Sequence, residues 1–302
     1  MPGLLGIADL DRTEIEAILA RAKDFQPLQN QSFKRLDVLR GKLMVNLFFE
    51  ASTRTRISFE IAAKRLGADA VQISAAGSSV SKGESLVDTL NTLGAMRPDA
   101  IVMRHAASGA PHFLARHLPI PIINAGDGTH EHPTQALLDA RTILDRVGTL
   151  EGLRVAIIGD IAHSRVARSN ILLLSKFGAE IVLCGPAPLC PPTMAKIAGG
   201  VSIAHDIREA IRDVDVIMML RVQLERQNER PFPAGEYFRF YGLRLDHIAL
   251  AKPDVIVMHP GPINRGRELT SEVADSQRSV ILNQVENGIA VRMAVLERII
   301  GE

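Results

Sequence analysis

The sequence predicts an α/β protein built from two doubly wound parallel-sheet domains bridged by two helices. Three observations lead there. Short apolar runs recur as candidate strands at 43–49, 70–74, 100–104, 120–124, 154–160, 180–185, 215–221 and 254–259. Amphipathic helical patterns lie between most of them, and strands that alternate with helices form parallel sheets covered on both faces. The length, 302 residues, suits about two domains at roughly 150 residues each.

Each element has a local reason. Asp11 can cap a first helix, with Glu14 three positions on and Ile15, Ile18, Leu19 and Ala22 at helical spacing. After Gly41 the run Leu43-Met44-Val45-Asn46-Leu47-Phe48-Phe49 reads as a buried strand. The helix that follows runs to Gly67 and places Ile57, Ile61 and Ala62 on one face. Another helix begins near Thr134 and is broken by Gly148-Thr149-Leu150-Glu151-Gly152, after which the strand–helix pattern restarts. The boundary is therefore expected within 134–150, dividing a first domain, 1–134, from a second, 135–280. Segment 223–244 is the least regular, with Pro231, Pro233 and Gly235; a loop near the site and an ordinary surface loop both fit it.

Composition narrows the function. Apolar residues make up 46% of the chain, ample for a sizeable core, and 35 basic side chains balance 34 acidic ones. No net charge draws the chain to nucleic acid or anionic lipid, so an anionic substrate must be held by local clusters. Cys184 and Cys190 are too few for a disulfide framework, which makes a reducing cytosol the expected setting. Their flanks offer no second ligand pair, so no metal site is expected there. Neither a signal peptide nor an apolar run of ~20 residues is read, and a soluble cytoplasmic protein is expected.

Ligands of open parallel sheets bind beyond the carboxyl ends of the strands, and the polar residues gather there. Phe49 is followed by Glu50-Ala51-Ser52-Thr53-Arg54-Thr55, and the third strand ends in Arg104-His105. The fourth runs into His132-Pro133-Thr134-Gln135. In the second half Asp160 leads to His163-Ser164-Arg165, Leu220 leads to Arg221-Val222-Gln223, and the last strand ends in His259-Pro260-Gly261-Pro262. Singly, each has a plain structural reading: Arg54 and Lys82 as solvated cations, His132 as a cap, Arg165 and Arg221 as ion-pair partners of Asp160 or Glu225. Plain capping by Ser52 or Thr53 explains the hydroxyls but leaves Arg54 unexplained, whereas a helix N-terminus flanked by hydroxyls and an arginine suits a phosphate. The convergence of cations, with no run of acids to neutralise them, suits a small and multiply anionic substrate set.

These residues also carry a family resemblance. Phe48-Phe49-Glu50-Ala51-Ser52-Thr53-Arg54-Thr55-Arg56 resembles the signature of the carbamoyltransferases, and His132-Pro133-Thr134-Gln135 is similar to their second site motif. Arg221-Val222-Gln223 followed by Glu225-Arg226 resembles the aspartate-specific version. The resemblance runs over nearly the whole chain, with the motifs in the family's order and spacing. It implies a carbamoyl-phosphate domain over 1–134, an aspartate domain over 135–280, and a C-terminal helix, 281–302, packing back on the first. It implies transfer of the carbamoyl group of carbamoyl phosphate to the amine of L-aspartate, with no cofactor and no metal. Ser52, Thr53, Arg54 and Thr55 would hold the phosphate, while Thr55, Arg104 and His132 would point at the carbamoyl oxygen. Gln135 and the backbone at Pro260, Gly261 and Pro262 would face the carbamoyl amine. Arg165 and Arg221, helped by Gln223, would take the aspartate carboxylates, and Ser79 and Lys82 would reach a neighbouring subunit's site in a homotrimer. Family members also assemble with dihydroorotase or with zinc-bearing regulatory chains, and Gly261, where some members have leucine, resembles the former group.

Rival readings make distinct demands. The ornithine version of the family carries a cysteine in the strand-end turn and a Ser-Met-Gly-type motif, and this chain has neither. A non-catalytic relative would have lost Arg54, His132 or Arg165, and all three are present. A dinucleotide dehydrogenase needs Gly-x-Gly-x-x-Gly, which Gly159-Asp160-Ile161-Ala162-His163-Ser164 lacks.

Overall fold

The computed structural model describes residues 3–74, 86–222 and 234–301. Two compact units emerge, one of Met1–Leu138 with Glu286–Glu302 and one of Asp139–Val285. Ser79, Lys82 and Gln223 lie outside the described residues, as does 223–233 of the irregular segment 223–244, whose remainder contains the helix Ala234–Tyr241 rather than loop alone.

In the first unit β1 (Gly3–Leu4), β2 (Leu43–Phe48), β3 (Asp69–Ser74), β4 (Ala100–His105) and β5 (Ile122–Asp127) form one sheet in the order β1-β5-β4-β2-β3. Every pairing is parallel. Its helices are α1 (Arg12–Phe25), α2 (Thr53–Leu66), α3 (Leu86–Ala95), α4 (Ala110–His117) and the start of α5 (Pro133–Val147). The second unit repeats the plan. Strands β6 (Arg154–Ile158), β7 (Glu180–Cys184), β8 (Val201–Ala204), β9 (Val216–Met219) and β10 (Ile256–Met258) lie in the order β10-β9-β6-β7-β8, again all parallel. Helices α6 (Arg165–Ser175), α7 (Ile207–Ala210), α8 (Ala234–Tyr241), α9 (Leu245–Ile248) and α10 (Ser271–Ala274) accompany it, and α11 (Ile281–Ile300) closes the chain. The divisions between the units fall inside α5 and α11.

The strand order locates the functional ends. In the first sheet β2 lies between β3 and β4, so the winding reverses between β2 and β4. In the second it reverses between β6 and β9. Crevices open at such reversals, because the loops leaving the two strands turn to opposite faces.

Local chemistry accounts for the elements. Asp11 and Glu14 form a full capping box on α1: Asp11 Oδ1 accepts the Glu14 N–H at 2.7 Å, and Glu14 Oε2 accepts the Asp11 N–H at 2.9 Å. Such a cap contributes ~1 kcal/mol. Gly67 ends α2 in the left-handed conformation, φ 89°. From Glu286 onward α11 packs within the first unit. Arg292 lies over the Phe59 ring at 5.1 Å, Glu297 pairs with Arg21 at 2.6 Å, and Gln26 donates to Asn287 at 2.7 Å.

Some expectations need correction. The buried stripe of α2 is Thr55, Phe59, Ala62, Ala63 and Leu66, while Ile57 is exposed. Spacings of four, three, one and three keep those five residues on one face of a 3.6-residue helix; Ile57 falls off it. Strands β1 and β8 have no counterpart among the expected apolar runs. β5 begins at Ile122 and continues to Asp127, and β6, β9 and β10 stop before the polar residues that follow them.

Candidate active site

The first unit assembles its polar residues at the reversal between β2 and β4. Phe48 and Arg104 are register partners, and the Phe49 N–H donates to the Arg104 carbonyl at 2.9 Å. The loop carrying Glu50, Ala51 and Ser52 into α2 therefore starts beside Arg104. The β4–β5 register shifts between Met103 and His105, an irregularity of the kind that re-aims a side chain. Arg104 Nη2 donates to Glu50 Oε1 at 3.1 Å and Nη1 to the Ala125 carbonyl at 3.3 Å, with only 12% of the arginine side chain exposed. Glu50, from the same loop, compensates Arg104, a single acid among the cations.

Ser52 is the N-cap of α2 in extended backbone, yet its hydroxyl makes no capping bond. Capping therefore does not account for a hydroxyl at this position. Thr53 and Arg54 are respectively exposed in the first turn, and Thr55 is buried. The N-terminal amides of α2 and its positive dipole end provide an anion site.

His132 and Gln135 owe their positions to buried carboxylates that sequence reading missed. Asp127 Oδ1 accepts from Asn124 Nδ2 at 2.8 Å and from the Glu131 N–H at 3.1 Å, while Oδ2 accepts the Gly109 N–H at 2.6 Å. Glu131 in turn accepts the Ile7 N–H at 2.8 Å and the Ala8 N–H at 3.3 Å. The loop is thereby tied to the segment after β1 and to the start of α4. His132 leads into α5, its carbonyl accepting the Gln135 N–H at 3.0 Å. His132 and Gln135 are both buried.

Among the described residues, one trio brings metal-ligating atoms within 4.8 Å of one another: His112, Asp127 and His130. Asp127 is already committed to the amides that shape this loop, and His130 Nδ1 lies 3.1 Å from its Oδ2. A loop lock accounts for the trio.

The second unit places its candidates at the reversal between β6 and β9, where Ile158 and Met219 are register partners. The Leu220 N–H donates to the Ile158 carbonyl at 2.8 Å. Gly159 is required here: its φ is 142°, and a Cβ would meet Leu220 Cβ at 2.8 Å. Ser164 caps α6, accepting the Ala167 N–H at 3.1 Å, which makes Arg165 the first residue of that helix, with 5% exposure. A guanidinium at the positive end of a helix is stabilised by negative charge placed near it. Asp160 pairs with His163, Nδ1 to Oδ1 2.8 Å. Arg221 follows β9 closely and is half-buried. The next residue is pinned by Glu268, whose Oε1 accepts the Val222 N–H at 3.3 Å and Asn264 Nδ2 at 2.8 Å. Burial pushes the Glu268 carboxyl above its usual range, opposed by the bonds from Asn264 and Val222.

The last strand leads into His259-Pro260-Gly261-Pro262, with a cis Gly261–Pro262 bond. The Gly261 N–H donates to His259 Nδ1 at 2.8 Å. Cys184 and Cys190 are free thiols, both buried. Burial pushes both thiols up, Cys190 to about 11.

The family model described as "Aspartate/ornithine carbamoyltransferase, carbamoyl-P binding domain" matches residues 3–145, and the corresponding Asp/Orn binding domain matches residues 151–299. The chain belongs to the aspartate/ornithine carbamoyltransferase family. Within it, the chain is 82% identical to the aspartate carbamoyltransferase catalytic subunit of Solibacter usitatus, over 99% of both chains. It is 56% identical to that of Geobacter sulfurreducens, over 99% of this chain and 96% of the relative. Among solved structures, the ornithine carbamoyltransferase of Pyrococcus furiosus aligns with a TM-score of 0.90 at 33% identity, covering 99% of this chain and 97% of that one. The aspartate transcarbamoylase of Trypanosoma cruzi, in complex with carbamoyl phosphate and aspartate, aligns at 0.86 and 32% identity, over 97% and 94%. No described helix is long and apolar enough to cross a membrane.

Proposed function

We propose that the chain carbamoylates L-aspartate, giving N-carbamoyl-L-aspartate and phosphate, a step of de novo pyrimidine biosynthesis. The observation that carries this reading is the pair Arg165 and Arg221, one after each of the two register-paired strands at the second sheet's reversal. Two guanidiniums suit a substrate with two carboxylates. Ornithine, with one carboxylate and a second amine, would meet an unmatched cation. The high identity to catalytic subunits of aspartate carbamoyltransferases supports the same substrate.

Carbamoyl phosphate is held through Ser52, Thr53, Arg54 and Thr55 with the α2 N-terminus. The amine of aspartate attacks the carbamoyl carbon, charge develops on the carbonyl oxygen, and phosphate leaves. Thr55, Arg104 and His132 are the donors to that oxygen, and removing one such donor typically costs ~10²–10³ in rate. Gln135 and the backbone carbonyls at Pro260 and Gly261 take the carbamoyl amine, with Pro262 fixing the turn. The departing phosphate accepts the proton of the attacking amine. Gln223 assists at the aspartate carboxylates. Lys82 is supplied by a neighbouring subunit of a homotrimer, which dihydroorotase or a regulatory chain can extend into a larger assembly.

The test is a product assay with carbamoyl phosphate and a panel of amino acids, repeated with Arg221→Ala. Aspartate is expected to be the preferred acceptor, and the variant is expected to raise the KM for aspartate far more than that for carbamoyl phosphate. Carbamoylation of ornithine with a comparable kcat/KM would overturn the reading.

A further inference from the structure

A buried chain of hydrogen bonds in the second unit runs from three helices into the turn after β10. Asp139, on α5, is fully buried. Its Oδ2 accepts from Asn170 Nδ2 of α6 at 2.9 Å, and its Oδ1 accepts from Gln284 Nε2 of α11 at 2.8 Å. Gln284 Oε1 accepts the His259 N–H at 2.9 Å, and His259 Nδ1 accepts the Gly261 N–H at 2.8 Å. Asn170, Gln284 and His259 are each at most 3% exposed.

The direction of these bonds follows from one group. An ionised carboxylate is acceptor-only, so Asp139 turns the Gln284 amide until its NH₂ faces inward. The amide oxygen must then face the His259 N–H. With the backbone N–H of His259 fixed, its ring lies against Gly261 and takes that N–H on an unprotonated Nδ1. Asn170 cannot reverse to relieve the pattern, because its Nδ2 also donates to the Val166 carbonyl at 3.0 Å.

We infer that Asp139 and Gln284 are positioning residues for the reaction: they orient the Pro260–Gly261 backbone that receives the carbamoyl amine. The inference rests on the reading of that turn under the proposed function. Neither residue needs to touch substrate; they act through His259. A positional slackness of ~1 Å in such a turn costs ~10²-fold in rate.

Donor–acceptor complementarity supplies the test. Gln284→Met removes both of these Gln284 bonds at similar volume. Asp139→Asn introduces an NH₂ that must face either Asn170 Nδ2 or Gln284 Nε2, so one pairing fails. The double variant Asp139→Asn with Gln284→Glu moves the carboxylate from position 139 to position 284. There it accepts from the His259 N–H and from the NH₂ of the new amide at position 139. The oxygen of that amide still accepts from Asn170. Each of the four pairings is retained with the charge displaced. Both single variants are expected to lower kcat by about 10- to 100-fold, with a smaller rise in the dissociation constant of carbamoyl phosphate, because its phosphate contacts stay intact. The double variant is expected to recover kcat to within a few-fold of wild type. A Gln284→Met enzyme with wild-type kcat, or a folded double variant no better than Asp139→Asn, would overturn the inference. Should a single variant fail to fold, the double variant decides alone, together with hydrogen exchange of the wild-type amides of His259 and Gly261. Those amides are expected to be strongly protected, and rapid exchange would overturn the network. A wild-type chain that forms no carbamoylaspartate would instead overturn the proposed function, leaving the exchange result to report on the network.

Discussion

Arg104 and Glu50 form an ion pair at the end of the first sheet, Nη2 to Oε1 3.1 Å, with the guanidinium also held by the Ala125 carbonyl. The pair is more than a surface contact, since 12% and 24% of the two side chains are exposed. A donor aimed at a developing oxyanion works only if it is already in place, and under the proposed function Glu50 would supply that restraint to Arg104. Glu50→Ala is expected to lower kcat by about 10- to 100-fold through loosened positioning, with a smaller effect on carbamoyl phosphate binding. Steady-state kinetics beside calorimetry separates the two. An equal loss in both would place Glu50 in phosphate binding instead.

Arg54 stands in the first turn of α2, a helix whose N-cap hydroxyl makes no capping bond. A charge-assisted hydrogen bond is worth roughly 1.5–3 kcal/mol, so Arg54→Ala is expected to weaken carbamoyl phosphate binding by about one to two decades and to abolish measurable turnover. Calorimetry on the first substrate alone gives the answer. Unchanged affinity would remove Arg54 from the phosphate site.

Much of the fold is legible in the sequence because the polar residues sit at strand ends, and strand ends can be read from apolar runs. The eight expected strands all exist, and α11 starts at Ile281 as the resemblance implies. β1 spans two residues, too short for any periodicity, and β8 follows Gly199-Gly200 with only Val201 and Ile203 as strong strand formers. Which strand ends are neighbours is not legible: Phe48 beside Arg104, and Ile158 beside Met219, follow from sheet order. Glu50 gives no signal as a partner of Arg104, because the two lie 54 positions apart. Asp139 and Gln284 carry no local signal at all, being 145 positions apart.

His247 provides a pH handle on stability within the second unit. It is 1% exposed, and its Nε2 lies 3.0 Å from Arg244 Nη2. Burial and the nearby Arg244 charge lower its pKa below the usual 6.5, outweighing the opposing charge of Asp246. The folded state therefore resists protonation that the unfolded chain accepts. Its contribution is fully present above about pH 6.5 and declines as pH falls from there toward the folded-state value. Denaturant midpoints between about pH 8 and pH 5 are expected to fall, and His247→Gln is expected to flatten that fall. A variant with the same pH slope as wild type would assign the loss elsewhere.

Assembly can be tested without knowing its geometry. Under the proposed function each site would borrow Lys82 from a neighbouring subunit, and a closed ring of heterologous contacts is the arrangement that would give every subunit a donor and a recipient role. Lys82→Ala and Arg54→Ala chains are each expected to be inactive. Mixed after dissociation and reassembled, they are expected to regain part of the wild-type activity. The reason is combinatorial: where a Lys82→Ala subunit, intact at Arg54, receives its lysine from an Arg54→Ala neighbour, that one site carries both wild-type residues. The recovered activity should rise and then fall as the mixing ratio is varied, and should disappear when both substitutions are placed on the same chain. Mixed oligomers with no recovered activity, or a fully active monomer in dilute solution, would leave the shared site without support.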